Sequence, residues 1–320
     1  MPRPTLLVTR KLPDNVEARI RRDYEGMFNP DDQRYPTEEL LKLSARADAI
    51  LPCHTESFSA EVIERLPDRV RAIANFSVGV DHCDLDAARQ KGIIVTNTPD
   101  VLTDATAELT MLLILGAARR ASEGERLIRS GQWNTWSPAF MVGTQVTGKR
   151  LGIVGMGRVG QVTAQRARGF DMEIHYHNRR RLDNTRENGA SFHESLDTLL
   201  PISEFLALQC PNLPETRNLL NAGRINQLPD GAIVVNSARG AIVDEDALIE
   251  ALKSGKLAAA GLDVYKNEPD IRPEFAQLDN AFLLPHVGSA TRETRDAMGY
   301  RALDNLDAIF AGKEPKDRVA

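Results

Sequence analysis

The sequence predicts an α/β protein made of two doubly wound domains, each with a parallel β-sheet between helices. Three observations support this prediction. The chain has 320 residues, more than one hydrophobic core commonly organises, so two domains are expected. Short apolar segments alternate with helical segments through most of its length, as in βαβ units. A turn with three closely spaced glycines, residues 155–160, separates a buried strand from a helix.

The composition is that of a globular protein and argues against two classes of partner. Apolar residues make up 42% and charged residues 27% of the chain, an ordinary balance. Nucleic-acid-binding proteins are more often basic, whereas this chain has a formal net charge of −5 and a sequence pI of about 5.8. The longest apolar run, "LTMLLILGAA" from Leu109, is too short to span a bilayer and predicts a buried helix. We therefore expect neither a nucleic acid nor a membrane as a partner.

The cysteines and the N-terminal residues indicate a cytoplasmic protein. Cys53, Cys83 and Cys210 are odd in number and far apart, so they form neither a metal-type pair nor a disulfide framework, and no metal is expected. The first residues, "MPRPTLLVTRKLPD", lack the apolar core of a signal peptide.

The first hundred residues predict one parallel sheet. The stretch "TLLVTRKLP" predicts a buried strand followed by a turn. Three later stretches each predict a helix followed by a strand: "PTEELLKLSARADAILP", "SAEVIERLPDRVRAIANFS" and "LDAARQKGIIVTNTP". Pro99 marks a break in this pattern.

The remainder predicts a second and more complete sheet. "DATAELTMLLILGAARRASEGERLIRSGQW" predicts one long helix with an acidic first turn and an apolar middle. From Arg150 the alternation restarts, and six stretches predict strands: "RLGIVGMG", "MEIHYHN", "SEFLALQCP", "GAIVVNSARG", "AAAGLDVY" and "AFLLPHVG". The last stretch, "TRETRDAMGYRALDNLDAIFAGK", predicts an amphipathic helix.

The glycine-rich turn has the G-x-G-x-x-G order of a dinucleotide site. Gly155 allows a tight turn, Gly157 lets the backbone approach a pyrophosphate, and Gly160 permits close packing of helix on strand. The helix that follows offers free N–H groups and a positive dipole end. A preceding buried strand and a following second strand make this pattern much more specific than three glycines alone.

The stretch "EIHYHNRRRL" indicates which dinucleotide is preferred. About twenty residues past the turn, NAD sites carry a carboxylate that binds the adenosine ribose. Here Asn178 stands at that position, followed by Arg179, Arg180 and Arg181. An amide does not repel a 2′-phosphate, and guanidinium groups bind phosphate in two-point contacts. The sequence therefore predicts NADP, with Arg179 and Arg180 as the favoured contacts; a solvated basic loop remains the alternative.

Three polar residues follow strands of the second sheet, where ligands bind in doubly wound folds. They are Arg239, Glu268 and His286. Together they suit the reduction of a 2-oxo acid. The arginine can hold the carboxylate and carbonyl oxygen, the imidazolium can donate a proton to that oxygen, and the carboxylate can orient the imidazole. Taken singly, each residue also has a structural explanation, as a turn cap, a surface charge or a core histidine.

Four stretches resemble one family: "LGIVGMGRVG", "NSARGAIVDEDAL", "AAAGLDVYKNEP" and "LLPHVGSAT" are similar to the D-isomer-specific 2-hydroxyacid dehydrogenases. "NTPDVLTDATAELTMLLIL" resembles the glyoxylate/hydroxypyruvate reductase branch. The resemblance extends in order over nearly the whole chain. It implies a homodimer, and a Rossmann cofactor domain inserted into a flavodoxin-like substrate domain, with catalysis in the cleft. The implied ranges are 1–99 plus 289–320 for the substrate domain and 100–288 for the cofactor domain with its dimerisation arm.

The resemblance also implies residue roles. Arg239, Glu268 and His286 become the catalytic set. Cofactor contacts fall on Arg158 and Val159 at the pyrophosphate, Thr106 and Asp263 at the nicotinamide end, Cys210 and Pro211 at the adenosine, and also on Gly288. Backbone N–H groups near Val78 and Gly79 would bind the substrate carboxylate, with Ser289 nearby. Leu51, Val78, His54 and Trp136 would shape the pocket; Trp133 and Trp136 lie on the arm, and Trp136 is expected to reach the partner's site.

These expectations converge on NADPH-dependent reduction of glyoxylate to glycolate and of hydroxypyruvate to D-glycerate. One alternative is a D-3-phosphoglycerate dehydrogenase, which usually has an acidic residue where Asn178 stands. The other is a non-catalytic NAD(P)H-sensing corepressor on the same fold, which can retain the catalytic set.

Overall fold

A computed structural model describes residues 3–320, which form two compact units. Residues up to Leu102 together with Ser289–Ala320 make the first unit, and Thr103–Gly288 make the second. Residues 1 and 2, where the predicted first domain and the N-terminal stretch begin, lie outside the described residues. Each unit contains one wholly parallel sheet, and the predicted α/β fold class is confirmed.

The first unit is built on a five-stranded sheet in the order β2-β1-β3-β4-β5. This is the flavodoxin-like doubly wound order. Residues of β3 and β4 are buried throughout, as expected where helices cover both faces of a parallel sheet. The strands are β1 (Thr5–Val8), β2 (Glu25–Met27), β3 (Ala49–Leu51), β4 (Ala72–Ala74) and β5 (Ile94–Thr96).

The helices of the first unit include the last helix of the chain. They are α1 (Asp14–Asp23), α2 (Thr37–Ser44), α3 (Ala60–Arg65), α4 (Leu85–Lys91) and α12 (Arg292–Phe310). Apolar residues of α12, among them Leu303 and Leu306, share a core with Leu6 and Val8 of β1. The chain therefore returns to its first sheet, which alternation of strands and helices did not predict.

Helix α1 and strand β2 were not predicted from the sequence. Only three residues of α1 are buried, Val16, Glu17 and Ile20, because most of this charged helix faces solvent. Strand β2 has three residues at the edge of the sheet and none of them is fully buried. Both elements are consequently poor in the apolar periodicity by which strands and helices are recognised.

The second unit is built on a seven-stranded sheet in the order β12-β11-β10-β9-β6-β7-β8. The order reverses between β6 and β9, and ligands in such sheets bind beyond the carboxyl ends of the strands at this point. The strands are β6 (Arg150–Val154), β7 (Glu173–His177), β8 (Ser191–Phe192), β9 (Phe205–Leu208), β10 (Ala232–Asn236), β11 (Leu257–Leu262) and β12 (Ala281–Leu283).

Seven α-helices belong to the described second unit. They are α5 (Thr103–Ala118), α6 (Ala121–Arg129), α7 (Arg158–Arg168), α8 (Asn184–Glu187), α9 (Leu196–Leu199), α10 (Ala222–Gln227) and α11 (Glu245–Ser254). Short 3₁₀ turns lie at Leu200–Ile202, Pro214–Thr216, Gly240–Ile242 and Pro273–Gln277. Among the described helices, none combines the length and apolar character needed to cross a bilayer.

The predicted single helix after residue 103 is wrong, because it is two helices. Arg120 has a φ of 54°, a left-handed conformation that ends α5 before α6 begins. The carbonyl of Ala118, at the end of α5, instead accepts a hydrogen bond from Thr144 N at 2.8 Å. Helix α5 is largely buried, as its apolar run predicted, whereas no residue of α6 is buried.

Candidate functional site

The glycine turn joins β6 to α7. Packing within the protein requires a glycine at two of its three glycine positions but not at the third. Gly155 has a φ of 98°, and a side chain there would come within 2.6 Å of Cys210 N. A side chain at Gly160 would meet Gly155 O at 2.7 Å. At Gly157, by contrast, a Cβ would project into open space. A glycine at this position therefore suits the close approach of a ligand to the backbone.

The beginning of α7 provides donors for an anion at this turn. Gly157 is the N-cap residue, and Arg158 and Val159 are the first helical residues. The first N–H groups of a helix have no acceptor within the helix, and they point towards the positive end of its dipole. The residues present therefore fit the pyrophosphate of a dinucleotide, and Arg158 adds a cation beside it.

Asn178, at the end of β7, holds the turn in place. Its Oδ1 accepts a hydrogen bond from Met156 N at 2.7 Å, and its Nδ2 donates to Met156 O at 3.4 Å. An ionised aspartate at this position would have no hydrogen to donate to Met156 O. The amide thus has a structural role that the sequence analysis did not foresee, beside its expected lack of repulsion for phosphate.

The three arginines after Asn178 have different surroundings. Arg181 forms a two-point ion pair with Glu187, at 2.8 and 3.0 Å. Arg179 is 77% exposed and its Nη1 lies 3.4 Å from Glu215 Oε1. Arg180 is exposed, and within residues 3–320 no ion pair or hydrogen bond involves its guanidinium. Arg181 is thus engaged within the protein by a two-point ion pair that Arg179 and Arg180 do not have.

Cys210 and Pro211 follow β9 at the other side of the turn. Cys210 N is the atom nearest a side chain at Gly155, as described above. Burial raises the pKa of the Cys210 thiol to about 11, so the sulfur is neutral at physiological pH. Pro211 is exposed, and its carbonyl accepts a hydrogen bond from Thr216 Oγ1 at 2.7 Å.

Thr106, Asp263 and Gly288 come together although they are far apart in the sequence. Thr106 Oγ1 donates to Gly288 O at 3.3 Å. The Asp263 carboxylate, 1% exposed, accepts hydrogen bonds from Val287 N and Gly288 N, each at 2.8 Å. Burial raises the pKa of Asp263, and these two donors together with His286 act in the opposite direction. The three residues predicted to contact the nicotinamide end therefore form one cluster.

Glu268 and His286 form the central pair of the site. Glu268 Oε2 lies 2.5 Å from His286 Nδ1, and Glu268 Oε1 accepts a hydrogen bond from Tyr265 N at 2.7 Å. Each side chain keeps about a quarter of its surface exposed, 23% for the glutamate and 27% for the histidine. The imidazole ring is thus held at Nδ1 by the carboxylate of Glu268.

The backbone of His286 is fixed as firmly as its ring. His286 N donates to Asp263 O at 2.8 Å, and the residue has a φ of 53°. This left-handed conformation is uncommon for a residue with a side chain and requires support from its surroundings. The hydrogen bonds between Asp263 and residues 286–288 provide that support. They also link His286 to the cluster of Thr106, Asp263 and Gly288.

Arg239 follows β10 next to the loop that carries Glu268. A Cβ on Gly240 would come within 1.9 Å of the Tyr265 carbonyl carbon, so only glycine lets these two loops meet. Asn236 fixes the turn, with its Nδ2 donating to Arg239 O at 2.9 Å and its Oδ1 accepting from Ala238 N at 3.0 Å. Strands β10, β11 and β12 are neighbours, and their carboxyl ends carry Arg239, Glu268 and His286 respectively.

A polar network near the glycine turn was missed by the sequence analysis. Gln209 Nε2 donates to Thr110 Oγ1 at 3.1 Å and to Thr163 Oγ1 at 2.9 Å. Thr110 Oγ1 also lies 2.8 Å from Ser237 Oγ. These residues connect α5, α7, β9 and β10 behind the proposed cofactor site. Single threonines within helices carry no motif, so no sequence signal indicated them.

The residues predicted to bind substrate lie mostly in the first unit. Val78 and Gly79 belong to the turn after β4, and Val78 is 37% exposed. His54 is exposed and Ser289 half-buried. Leu51 lies in the core of its unit with no exposed surface, so a substrate contact there would involve the following loop rather than this side chain. Trp136, in the second unit, is 77% exposed.

Comparisons with known proteins agree with this geometry. The family model described as D-isomer specific 2-hydroxyacid dehydrogenase, NAD binding domain, matches residues 111–288. A glycerate dehydrogenase from Hyphomicrobium methylovorum is 44% identical, covering 98% of this chain and 98% of its own. A glyoxylate reductase from Thermococcus kodakarensis is 42% identical, covering 99% of this chain and 96% of its own.

A solved structure extends the likeness to three dimensions. The NADPH-dependent glyoxylate/hydroxypyruvate reductase from Sinorhizobium meliloti, in complex with NADP and malonate, aligns with a TM-score of 0.87 at 31% identity. The alignment covers 99% of this chain and 97% of that one. The resemblance drawn from the sequence is therefore confirmed, and so is the prediction of an oxidoreductase that binds a nicotinamide cofactor and acts on small 2-oxo acids. The chain belongs to the D-isomer specific 2-hydroxyacid dehydrogenase family, in its glyoxylate reductase branch.

Proposed function

We propose that this protein reduces glyoxylate to glycolate and hydroxypyruvate to D-glycerate, with NADPH preferred over NADH. The names of its relatives support this substrate class, since they include a glyoxylate reductase and a glycerate dehydrogenase. The second unit would bind the cofactor and the first unit the substrate.

The pairing of Glu268 with His286 is the observation that carries the proposal. Reduction of a carbonyl needs a proton for the oxygen as well as a hydride for the carbon, and a bound NADPH supplies the hydride. His286 Nε2 donates that proton. Glu268, 2.5 Å from His286 Nδ1, orients the ring and stabilises its positive charge before transfer.

Arg239 supplies the cation that an anionic substrate requires. Its guanidinium binds the carboxylate and the carbonyl oxygen, so charge that develops on that oxygen is stabilised. The close packing of Gly240 on Tyr265 sets the distance between this arginine and the loop of Glu268. Backbone N–H groups of Val78 and Gly79 bind the substrate carboxylate, with Ser289 and His54 as further neighbours.

The preference for NADPH follows from Asn178, Arg179 and Arg180. An amide replaces the carboxylate that would repel a 2′-phosphate, and two exposed guanidinium groups follow it. The related enzyme from Sinorhizobium meliloti is NADPH-dependent and was solved in complex with NADP, which supports the same preference here.

A homodimer is the proposed assembly. Five apolar side chains are exposed on α5, α6 and the irregular segment that follows, namely Leu112, Ile128, Trp133, Trp136 and Val142. Exposed aromatic and aliphatic groups in this number are typical of an interface. Sedimentation velocity should give a dimer for the wild type and more monomer for Trp133→Ala with Trp136→Ala; a wild-type monomer at micromolar concentration would contradict the assembly.

A panel of 2-oxo acids tests the proposed function. Initial rates with glyoxylate, hydroxypyruvate, pyruvate and 3-phosphohydroxypyruvate should be compared, each with NADPH and with NADH. We expect the highest kcat/KM for the first two acids with NADPH. Highest activity with the phosphorylated acid would indicate a phosphoglycerate dehydrogenase instead. Saturable binding of NADPH without turnover of any acid would indicate a nucleotide sensor.

A further inference from the structure

The turn after β4 has three successive carbonyl groups that are all hydrogen-bonded by their neighbours. Ser77 O accepts from Thr98 N at 2.9 Å. Val78 O accepts from Asn97 Nδ2 at 2.8 Å, and Gly79 O accepts from Ser77 Oγ at 2.7 Å. Two of the three donors come from the segment that continues β5, so this segment controls the orientation of the turn.

Anchored carbonyls fix the direction of the N–H groups that follow them. In a trans peptide the C=O and the next N–H point in opposite directions, because the peptide unit is planar. The N–H groups of Val78, Gly79 and Val80 are therefore directed away from the three anchors. Within residues 3–320, no oxygen accepts a hydrogen bond from these three N–H groups. Consecutive N–H groups of this kind form a concave site for an anion.

Asn97 is itself held on both sides. Its N–H donates to Asp317 O at 3.3 Å, and its carbonyl accepts from Asn305 Nδ2 at 3.4 Å. The Asp317 carboxylate in turn accepts from Arg301 Nε at 2.5 Å and from Asn305 Nδ2 at 2.9 Å. Helix α12 and the residues after it thus fix the backbone from which the Asn97 side chain reaches the turn.

We propose that Asn97 and Ser77 are positioning residues for the substrate carboxylate. Asn97 holds the carbonyl of Val78 and thereby aims the N–H of Gly79, which binds the carboxylate. Ser77 holds the carbonyl of Gly79 and thereby aims the adjacent N–H of Val80. The inference rests on the proposed function, in which a 2-oxo acid binds at this turn. In this inference two side chains that do not contact the substrate set the direction of the backbone N–H groups that recognise its carboxylate.

This role makes a distinctive kinetic prediction. Glyoxylate and hydroxypyruvate share the carboxylate and differ in the rest of the molecule, so a misdirected N–H weakens both equally. The proton donor His286 and its partner Glu268 lie in the other unit and keep their own contacts. Loss of an anchoring hydrogen bond is therefore expected to raise KM and to leave kcat nearly unchanged.

Asn97→Asp and Ser77→Ala test the inference. An aspartate has the size of asparagine, but its ionised carboxylate cannot donate to Val78 O and repels it. With saturating NADPH, we expect KM to rise about tenfold or more in Asn97→Asp for both acids, the usual effect of losing a charge-assisted hydrogen bond. The kcat should stay within about threefold, as for a change in uniform binding. Ser77→Ala should act in the same direction with a smaller effect.

Asn280→Ala is the matched control. Asn280 Nδ2 also donates to a backbone carbonyl, that of Leu252, at 3.0 Å, but it lies in the second unit away from the turn. Its KM values should equal those of the wild type. An Asn97→Asp variant with the KM values of the wild type would overturn the inference. A fall in kcat with unchanged KM would also overturn it, since general destabilisation would then account for the variant.

Binding of oxamate separates the inference from the proposed function. Oxamate carries the same carboxylate next to an unreactive carbonyl, and calorimetry on the protein with bound NADPH measures its Kd without turnover. Weaker binding by Asn97→Asp than by Asn280→Ala supports the role of the turn even if no acid in the panel is reduced. Oxamate bound equally by both variants, or not bound by the wild type, overturns it.

Discussion

Replacing His286 with Gln is expected to lower kcat by about 10²–10⁴, the usual contribution of a positioned acid or base. Glutamine retains a hydrogen-bonding amide near Glu268 but cannot deliver a proton at neutral pH. The binding of NADPH and of substrate should change little, since neither depends mainly on the imidazole. Steady-state kinetics at saturating glyoxylate, together with the Kd of NADPH from fluorescence titration, give the two quantities.

The control for this variant is His193→Gln. His193 belongs to the same unit, follows β8 at the opposite edge of the sheet, and contacts His175 and Thr198. Its replacement should leave kcat within about twofold. A kcat for His286→Gln equal to that of the wild type would remove its role as the proton donor, whatever the value for the control. A lost affinity for NADPH would instead indicate a structural role.

Replacing Arg179 and Arg180 together with Ala should weaken the binding of NADPH by about tenfold or more and leave NADH nearly unchanged. The two cofactors differ only in the 2′-phosphate, so a contact with that group appears only in the affinity for NADPH. Both side chains are exposed, and salt screens such contacts, so the difference should shrink at high ionic strength. Kd values for both cofactors at low and high salt measure the effect.

Arg181→Ala separates a specific contact from the loss of positive charge. Arg181 carries the same charge next in the sequence, but its guanidinium is bound to Glu187 on two atoms. We expect this variant to change the ratio of the two Kd values by less than about threefold. Equal losses of affinity for NADPH and NADH in the double variant would refute phosphate recognition by Arg179 and Arg180. If Arg181→Ala had as large an effect as the double variant, the preference would come from the positive charge of the segment rather than from a specific contact.

The sequence alone was sufficient for features that depend on neighbours in the chain. Alternation of buried strands and amphipathic helices predicted two parallel sheets, because each such segment reveals its own burial by its periodicity. The glycine turn and Asn178 were recognisable for the same reason, since their spacing follows from one strand–helix–strand unit. The polar residues after β10, β11 and β12 were found by inspecting strand ends, and the resemblance to a known family added their roles.

Other features depended on residues far apart in the sequence, and only the tertiary structure decided them. The single helix predicted after residue 103 is divided at Arg120, which has a left-handed conformation. The carbonyl of Ala118 accepts a hydrogen bond from Thr144 N, a residue far along the chain. The sequence favoured Arg179 and Arg180 over Arg181 by position alone, and it did not contain the pairing of Arg181 with Glu187. Nothing in the local pattern predicted that Asn97 anchors Val78.

The physical reason is the same in each case. Periodicity reports how often a side chain is buried, which follows from the conformation of a short segment. It does not report which strand lies next to which, or which loop crosses a helix end, because these depend on how the whole chain closes. The sequence by itself therefore determined the fold class, the glycine turn and the candidate residues of the site. The tertiary structure decided contacts that no local pattern contains: Asn178 on Met156, Arg181 on Glu187 and Asn97 on Val78.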